Sequence, residues 1–440
     1  MSKPRVFIGF SETAGYCAGL KKGFDEIGVE SNCFMVTESV FQFDDPGKGR
    51  MLARMRAAIA FRARVQEAAH NAGTFRKVTL SIAKVFATFW QTVIAAMVFC
   101  WAAITFDVFI IQGRTSFVDL FRVPIVPKFF DLALLKLLRK KIIYVFHGTD
   151  SRPAYVNGSQ GTRKLTVEQL AKYVRKQHRD LGRIEKFASV IIHYPLNAQL
   201  HRKQIISHEF VGRPVAVPSG TVEPEHGGEV IVGHAPSDPI GKGTALIEAV
   251  ITNLQKKGHS VRLVRPDDRS HSAVKKMLAE CDFVVDQVFY DVAISYVATE
   301  AAFLGKATVI GTNARDELIK VTPPEMLAPT VLCLPEEIEP TIERLIVDEK
   351  LRRTCGEKAR RFVETHYGPL NVAENFLKII NGSVPANWFF DPNSIEYVFG
   401  YGYEKADVKK RVHELVQQFG TSALCLDDKP QMRDRFLNLL

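Results

Sequence analysis

The chain has no C-x-x-C pair, no two aspartates spaced two apart, no internal repeat and no low-complexity tract. Its seven cysteines stand apart at 17, 33, 100, 281, 333, 355 and 425, a spacing that excludes a zinc ribbon and a disulfide framework. Reduced, mostly buried thiols in a cytosolic protein are the expectation. A P-loop is missing as well: HAPSDPIGKGT has Pro236 and Gly243 where that loop needs glycine and Ser/Thr. The opening MSKPRVFIGF runs straight into a strand and carries no apolar core of a signal peptide. The adjacent pairs Asp267-Asp268 and Asp427-Asp428 read as solvated loop charges.

What is present points to a two-domain globular protein. At 440 residues the chain exceeds what one core usually organises. Hydrophobic residues make up 46% and aromatics 10%, so both cores can be filled. The net charge of +10 favours an anionic partner: phosphate, nucleic acid or an acidic membrane. Nucleic acid is not expected, because the basic residues are not interleaved with aromatics and no recognition motif occurs.

Short apolar segments alternate with helical ones. Strands are expected at Arg5–Phe10, Cys33–Val36, Val108–Gln112, Ile142–Phe146 and Val190–His193, with a helix from Ser11 to Glu26. A helical region spans Gly49 to Ala103, broken near Asn71–Gly73. The Pro- and Gly-rich stretch Val217–Gly228 marks a boundary. Beyond it, strands recur at Val230–His234, Ser260–Arg265, Phe283–Gln287, Thr308–Gly311 and Val331–Leu334. The fold class is therefore α/β, with two Rossmann-like βαβ domains, 1–220 and 229–380, facing across a cleft. Residues 381–440 form a C-terminal helical extension of unassigned role, in which Asp407–Phe419 is an amphipathic helix stopped by Gly420.

Three segments offer chemistry. In HAPSDPIGKGT, a strand end leads through a turn containing Ser237 to Lys242, Gly243 and a helix start, a setting for a diphosphate. In EAAFLGKATVIGT, Glu300 is a lone carboxylate on an apolar helix, an acceptor for sugar hydroxyls. In FHGTDSR, His147 stands at the C-terminal tip of a strand, where open α/β sheets place site residues, with Arg152 just beyond.

These segments, with CDFVVDQVFYDVAISYVATEAAFLGKATVIG and LRRTCGEKARRFVETHYGPLNVAENFLKII, resemble glycosyltransferases of the GT-B fold, in the large retaining family 4 group. The resemblance covers most of residues 1–380 and is densest over 230–380. It implies transfer of a sugar from a UDP- or GDP-type donor to a glycan or lipid-linked acceptor, with no cofactor and no catalytic metal. The missing D-x-D pair, the metal site of the other glycosyltransferase fold, agrees with that. By the resemblance Lys242 contacts the donor diphosphate, together with Ser237 and Gly243 of its turn, and Glu300 holds the ribose hydroxyls. His147 lies near donor sugar and acceptor, and the loop from Ser11 to Gly15 approaches the phosphates. A phosphate oxygen of the leaving group would take the acceptor's proton.

The pattern is incomplete. Val292 replaces the first glutamate of the family's E-x7-E motif, leaving the adjacent Asp291 as substitute. The arginine that accompanies the family's lysine is absent, leaving Arg265 as its replacement. A non-catalytic nucleotide-sugar-binding protein and a nucleotide-sugar epimerase share the architecture and stand as alternatives.

Val85–Phe106 is an uncharged run of 22 residues, long enough to span a bilayer. The strand after it must return to the sheet that contains Val6–Gly9, so a buried or interfacial crossover helix is expected instead. Ahead of it, Arg50, Arg54 and Arg64 fall opposite Leu52, Met55 and Ile59, and Arg76, Lys77 and Lys84 follow. Residues 50–106 therefore read as an attachment to an anionic membrane surface, on the inner face of the cell membrane.

Overall fold

Val6–Phe10 (β1) is apolar at every position but one glycine, and all five residues are buried, as a strand covered on both faces requires. A computed structural model describes residues 3–37, 41–43, 46–70, 74–121, 126–215 and 228–439. The remaining first-half strands are Ser31–Met35 (β2), Val108–Gln112 (β3), Lys141–Val145 (β4), Val190–His193 (β5) and Ile205–Ser207 (β6). The second half supplies Val230–Gly233 (β7), Val261–Val264 (β8), Phe283–Tyr290 (β9), Ala307–Thr312 (β10) and Val331–Cys333 (β11), and Phe389–Phe390 (β12) follows.

These strands form two sheets, ordered β12-β6-β5-β4-β3-β1-β2 and β11-β10-β9-β7-β8. Every pairing is parallel except β12 on β6. In each sheet the earliest strand sits between the next two: Val6 of β1 faces Ser31 of β2 and Val108 of β3. The winding direction therefore reverses beside β1 and again beside β7, and a crevice opens at the strands' C-terminal ends there. The expected architecture of two parallel α/β sheets is present. Of its strands, β6 and β12 escaped the sequence pattern, being only three and two residues long.

The expected boundary Val217–Gly228 falls outside the described residues but for Gly228. The chain crosses between the sheets around Arg213 and again around Tyr367, and the Gly368 amide donates to the Arg213 carbonyl (3.0 Å), tying the crossings together. Helix Pro369–Asn381, counted with the second domain from sequence, packs instead against helix Tyr16–Glu26 beside the first sheet. Gly19 and Gly23 make that approach possible: a Cβ at either would overlap the carbonyl of Pro214 or Pro369.

The extension belongs to the first sheet as well. Helix Lys405–Phe419 buries Val408, Val412 and Leu415 and packs on helix Val167–Phe187. Ahead of it, residues 401–402 bridge the two halves. The Gly158 amide donates to the Tyr401 carbonyl (2.7 Å), and the Gly402 amide donates to the Phe289 carbonyl (2.9 Å).

The apolar run lies in helix Thr74–Thr105, which packs beside helix Arg50–His70. The expected break at Asn71–Gly73 lies outside the described residues. One face of the longer helix, with Ala87, Ile94, Ala95, Val98 and Ala102, enters the first core. Its other face leaves Ile82, Val85, Phe86, Phe89, Trp90, Met97 and Ile104 exposed, between 44% and 78%. Segment Leu80–Thr105 is long and apolar enough to cross a membrane by length and composition. Its position as the crossover between β2 and β3, however, buries one side of it in protein.

Candidate functional site

The turn after β7 is built around His234. Its Nδ1–H donates to the Val285 carbonyl on β9 (2.8 Å), and its Nε2 accepts from the Thr244 hydroxyl (2.9 Å). Burial lowers its pKa to about 4, so the ring is neutral and fixes the start of helix Thr244–Lys256 against β9. Asp238 caps a single helical turn, Pro239–Lys242, and Gly243 joins the two helices at φ 75°, a left-handed conformation in which glycine carries no Cβ penalty. Lys242 is thereby turned back under the strand end. Its ammonium stands 2.7 Å from Asp286 Oδ1 on β9, with both side chains buried. The other oxygen of Asp286 accepts from the Gln287 amide (2.7 Å).

Glu300 lies on helix Tyr296–Phe303, capped by Ser295. It is 6% exposed, and its Oε1 is 2.6 Å from His271 Nε2. The His271 ring lies against Phe43 (4.4 Å between centroids), and the His271 amide donates to the Phe41 carbonyl (2.9 Å). Phe41 and Phe43 belong to the first half, so they cross the cleft and cover the neighbourhood of Glu300.

On the opposite wall, His147 follows β4. Its Nε2–H donates to Gln112 Oε1 (3.1 Å), and its Nδ1 accepts from the Tyr296 hydroxyl (3.4 Å). Burial, assisted by the charge of Arg213, lowers its pKa to about 3, so the imidazole is neutral at physiological pH. Arg152, five residues on, makes a two-pronged pair with Asp291 at 2.6 Å on both arms. Arg213, fully buried, stands among the rings of Tyr194, Tyr296 and Tyr367 at 5.0 to 5.7 Å and joins both crossings.

These walls enclose a cleft of about 740 Å³ between the sheets. His147, Ser237, Lys242, Arg265 and Glu300, all expected site residues, line it, and Arg265 sits at the rim in a pair with Glu248 (2.9 Å). Four other expected site residues do not. Ser11 and Gly15 shape the loop after β1, whose wall is made by Glu12, Thr13 and Ala14. Gly243 is a structural joint, where a Cβ would meet the Val288 side chain. Asp291 has no exposed surface, because Arg152 takes both its oxygens. An aspartate there cannot serve as a free substitute for the missing glutamate.

Glu12, His271, Asp286, Tyr296 and Tyr401 are the site residues that sequence reading passed over. Asp286 carried a signal, a carboxylate inside a mostly apolar strand. The others depend on chain crossings that no local pattern encodes. Among the described residues, no group of three or more His, Cys, Asp or Glu side chains forms a metal site.

No protein-family model and no curated protein matches the chain. Among solved structures, HepE of Anabaena with UDP and glucose aligns at 11% identity and a TM-score of 0.46, over 86% of this chain and 100% of its own. The glycosyltransferase SnogD from Streptomyces nogalater aligns at 12% and 0.39, over 86% and 100%. S. aureus MnaA with UDP aligns at 13% and 0.43, over 86% and 96%.

Proposed function

We propose that this chain is a metal-independent GT-B glycosyltransferase of the family 4 type. It moves a sugar, with retention, from a nucleoside-diphosphate donor to a glycan or lipid-linked acceptor at an anionic membrane face in the cytoplasm. One observation carries the reading: Lys242 and Glu300, 58 positions apart in sequence, reach one cleft beside β7, with His147 on the facing wall. A departing diphosphate needs fixed cations and dipoles. Lys242 and the amides of the turn after β7 supply them, and Glu300 offers an acceptor for ribose hydroxyls.

The membrane face is supported by the exposed apolar stripe Ile82–Ile104 together with the exposed Arg50, Arg54 and Arg64 on the neighbouring helix. A patch of that size and chemistry fits the headgroup boundary of an anionic bilayer. The test is turnover by the full chain with a panel of UDP- and GDP-sugars, with and without anionic vesicles. Sugar transfer supports the reading. Saturable nucleotide binding without turnover would make the chain a binding protein, and isomerisation without transfer an epimerase; either overturns it.

A further inference from the structure

Among the described residues of the C-terminal extension, only Tyr401 lines the cleft. It sits in a strap, YVFGYGYE, that is hydrogen-bonded to both halves of the protein. The Tyr401 amide donates to the Val156 carbonyl (3.0 Å), and the Tyr401 carbonyl accepts from the Gly158 amide (2.7 Å). The next amide, that of Gly402, donates to the Phe289 carbonyl on β9 (2.9 Å). Gly400 and Gly402 turn the chain on either side at φ 66° and 72°, and a Cβ on Gly400 would overlap the Val156 carbonyl. Arg152 lies over the Tyr401 ring at 5.2 Å while its charge stays with Asp291. Strap and arginine together fix the ring without using its hydroxyl.

That hydroxyl stands over the turn that carries Lys242. A Cβ on Gly241 would lie 2.8 Å from Tyr401 Oη, so the glycine makes room for the tyrosine. The carboxylate of Asp238 is satisfied within the backbone: Oδ1 accepts from the Gly241 amide (3.2 Å) and Oδ2 from the Gln160 amide (2.9 Å). Asp286 is neutralised by Lys242. Among the described residues, none makes a hydrogen bond to Tyr401 Oη. Burial, helped by the charge of Asp238, holds the phenol above its ordinary range, so it keeps its proton and remains a donor. The ring is only partly buried, and its surface faces the cleft. An unspent O–H beside a buried ammonium suits an anionic oxygen, to which hydrogen bonds are short and about twice as strong as to a neutral one.

We infer that the Tyr401 hydroxyl binds the diphosphate of the nucleotide donor, donating to a phosphate oxygen over Gly241, and that the C-terminal extension is thereby a working part of the donor site. This rests on the donor site of the functional reading above and adds a group to it. Lys242 supplies charge from the second domain, and Tyr401 supplies an uncharged donor from a segment that packs with the first. When the bond from the anomeric carbon to the phosphate oxygen breaks, the diphosphate leaves with the electron pair. A hydrogen bond already aimed at that oxygen set strengthens as the charge grows and needs no rearrangement.

The experiment measures UDP and GDP binding by titration calorimetry to the full-length wild type, Tyr401→Phe and Tyr403→Phe. Tyr401→Phe keeps the ring that Arg152 covers and removes Oη alone. It is expected to weaken binding of the nucleotide that the wild type takes by about 10- to 100-fold, with the Tm of the free protein unchanged. Tyr403 lies two residues on in the same strap and lines a different hollow, so Tyr403→Phe is expected to keep wild-type affinity. Wild-type affinity in Tyr401→Phe would overturn the inference and leave the transferase reading standing. Equal losses in the two variants would overturn it too, because packing of the strap and not the hydroxyl would then be responsible. A lowered Tm in Tyr401→Phe, or failure to fold, would give the hydroxyl a partner within the protein and count against it in the same way. Binding of neither nucleotide by the wild type would overturn the inference and the transferase reading together.

Discussion

Arg152 and Asp291 join the two halves of this protein. The guanidinium reaches from the segment after β4 and places Nε and Nη2 at 2.6 Å from the two carboxylate oxygens at the end of β9. With 3% and 0% side-chain exposure, the pair is screened from solvent. Removing one partner leaves the other charge buried and uncompensated, at a cost of about 3–5 kcal/mol. Arg152→Ala is therefore expected to lower Tm and to loosen the closed arrangement of the sheets. Calorimetry and solution scattering check this, and an unchanged Tm would contradict the buried pairing.

Lys242 is held by Asp286, so its ammonium serves both stability and binding. Lys242→Ala should weaken UDP binding and also lower Tm, because Asp286 is stranded in the core. The double variant Lys242→Met with Asp286→Asn should recover the Tm without recovering affinity. Binding by titration calorimetry separates the two effects. Affinity of the double variant equal to wild type would remove Lys242 from the donor site.

Glu12 makes stability depend on pH in a defined direction. Its pKa is raised from 4.5 to about 7, so the folded chain keeps a proton that the unfolded chain has already lost. No penalty exists below pH 4.5; it grows as pH rises and is complete above about 7. The whole effect is roughly 3 kcal/mol at most, since part of the group remains solvated. Glu12→Gln should therefore match the wild type near pH 5 and exceed it near pH 8 by a margin of that order. Melting curves at both pH values provide the measurement.

The exposed stripe Val85, Phe86, Phe89 and Trp90 contributes little to the core. Replacing Phe86, Phe89 and Trp90 together by serine should change stability by less than about 0.5 kcal/mol per site. It should also abolish co-flotation with anionic vesicles. Flotation equal to wild type would dissociate the stripe from the membrane.

Gly19→Ala puts a methyl into the Pro214 carbonyl beside the first crossing. Overpacking of this kind costs about 1–3 kcal/mol, and the strain falls on the link between the sheets. A lowered Tm is expected. A variant as stable as wild type would mean that the crossing shifts freely.

Several local features were legible from residue order. Continuous apolar runs predicted ten of the twelve strands, nine of them within one or two residues and β9 three residues short at its end, because a strand buried on both faces needs no partner to reveal itself. The turn HAPSDPIGKGT and the lone carboxylate Glu300 pointed to the cleft, since strand ends and charged residues on apolar helices are local signals. The roles of Asp291, Gly243 and Ser11 were not legible. Nothing near Asp291 in sequence says that Arg152, 139 positions earlier, will occupy it.

Sequence alone thus determined the two parallel sheets, their boundaries at strand level and the candidates Lys242, Glu300 and His147. These follow from hydrophobic periodicity and turn chemistry, which act over a few residues. Tertiary structure decided which charges are spent and which are left. It tied Lys242 to Asp286 and Arg152 to Asp291, laid Phe43 over His271, and buried one oxygen of Glu12 without a side-chain partner. The reason is physical: a side chain's charge and reactivity are set by desolvation and by partners within a few ångströms, and chain crossings choose those partners.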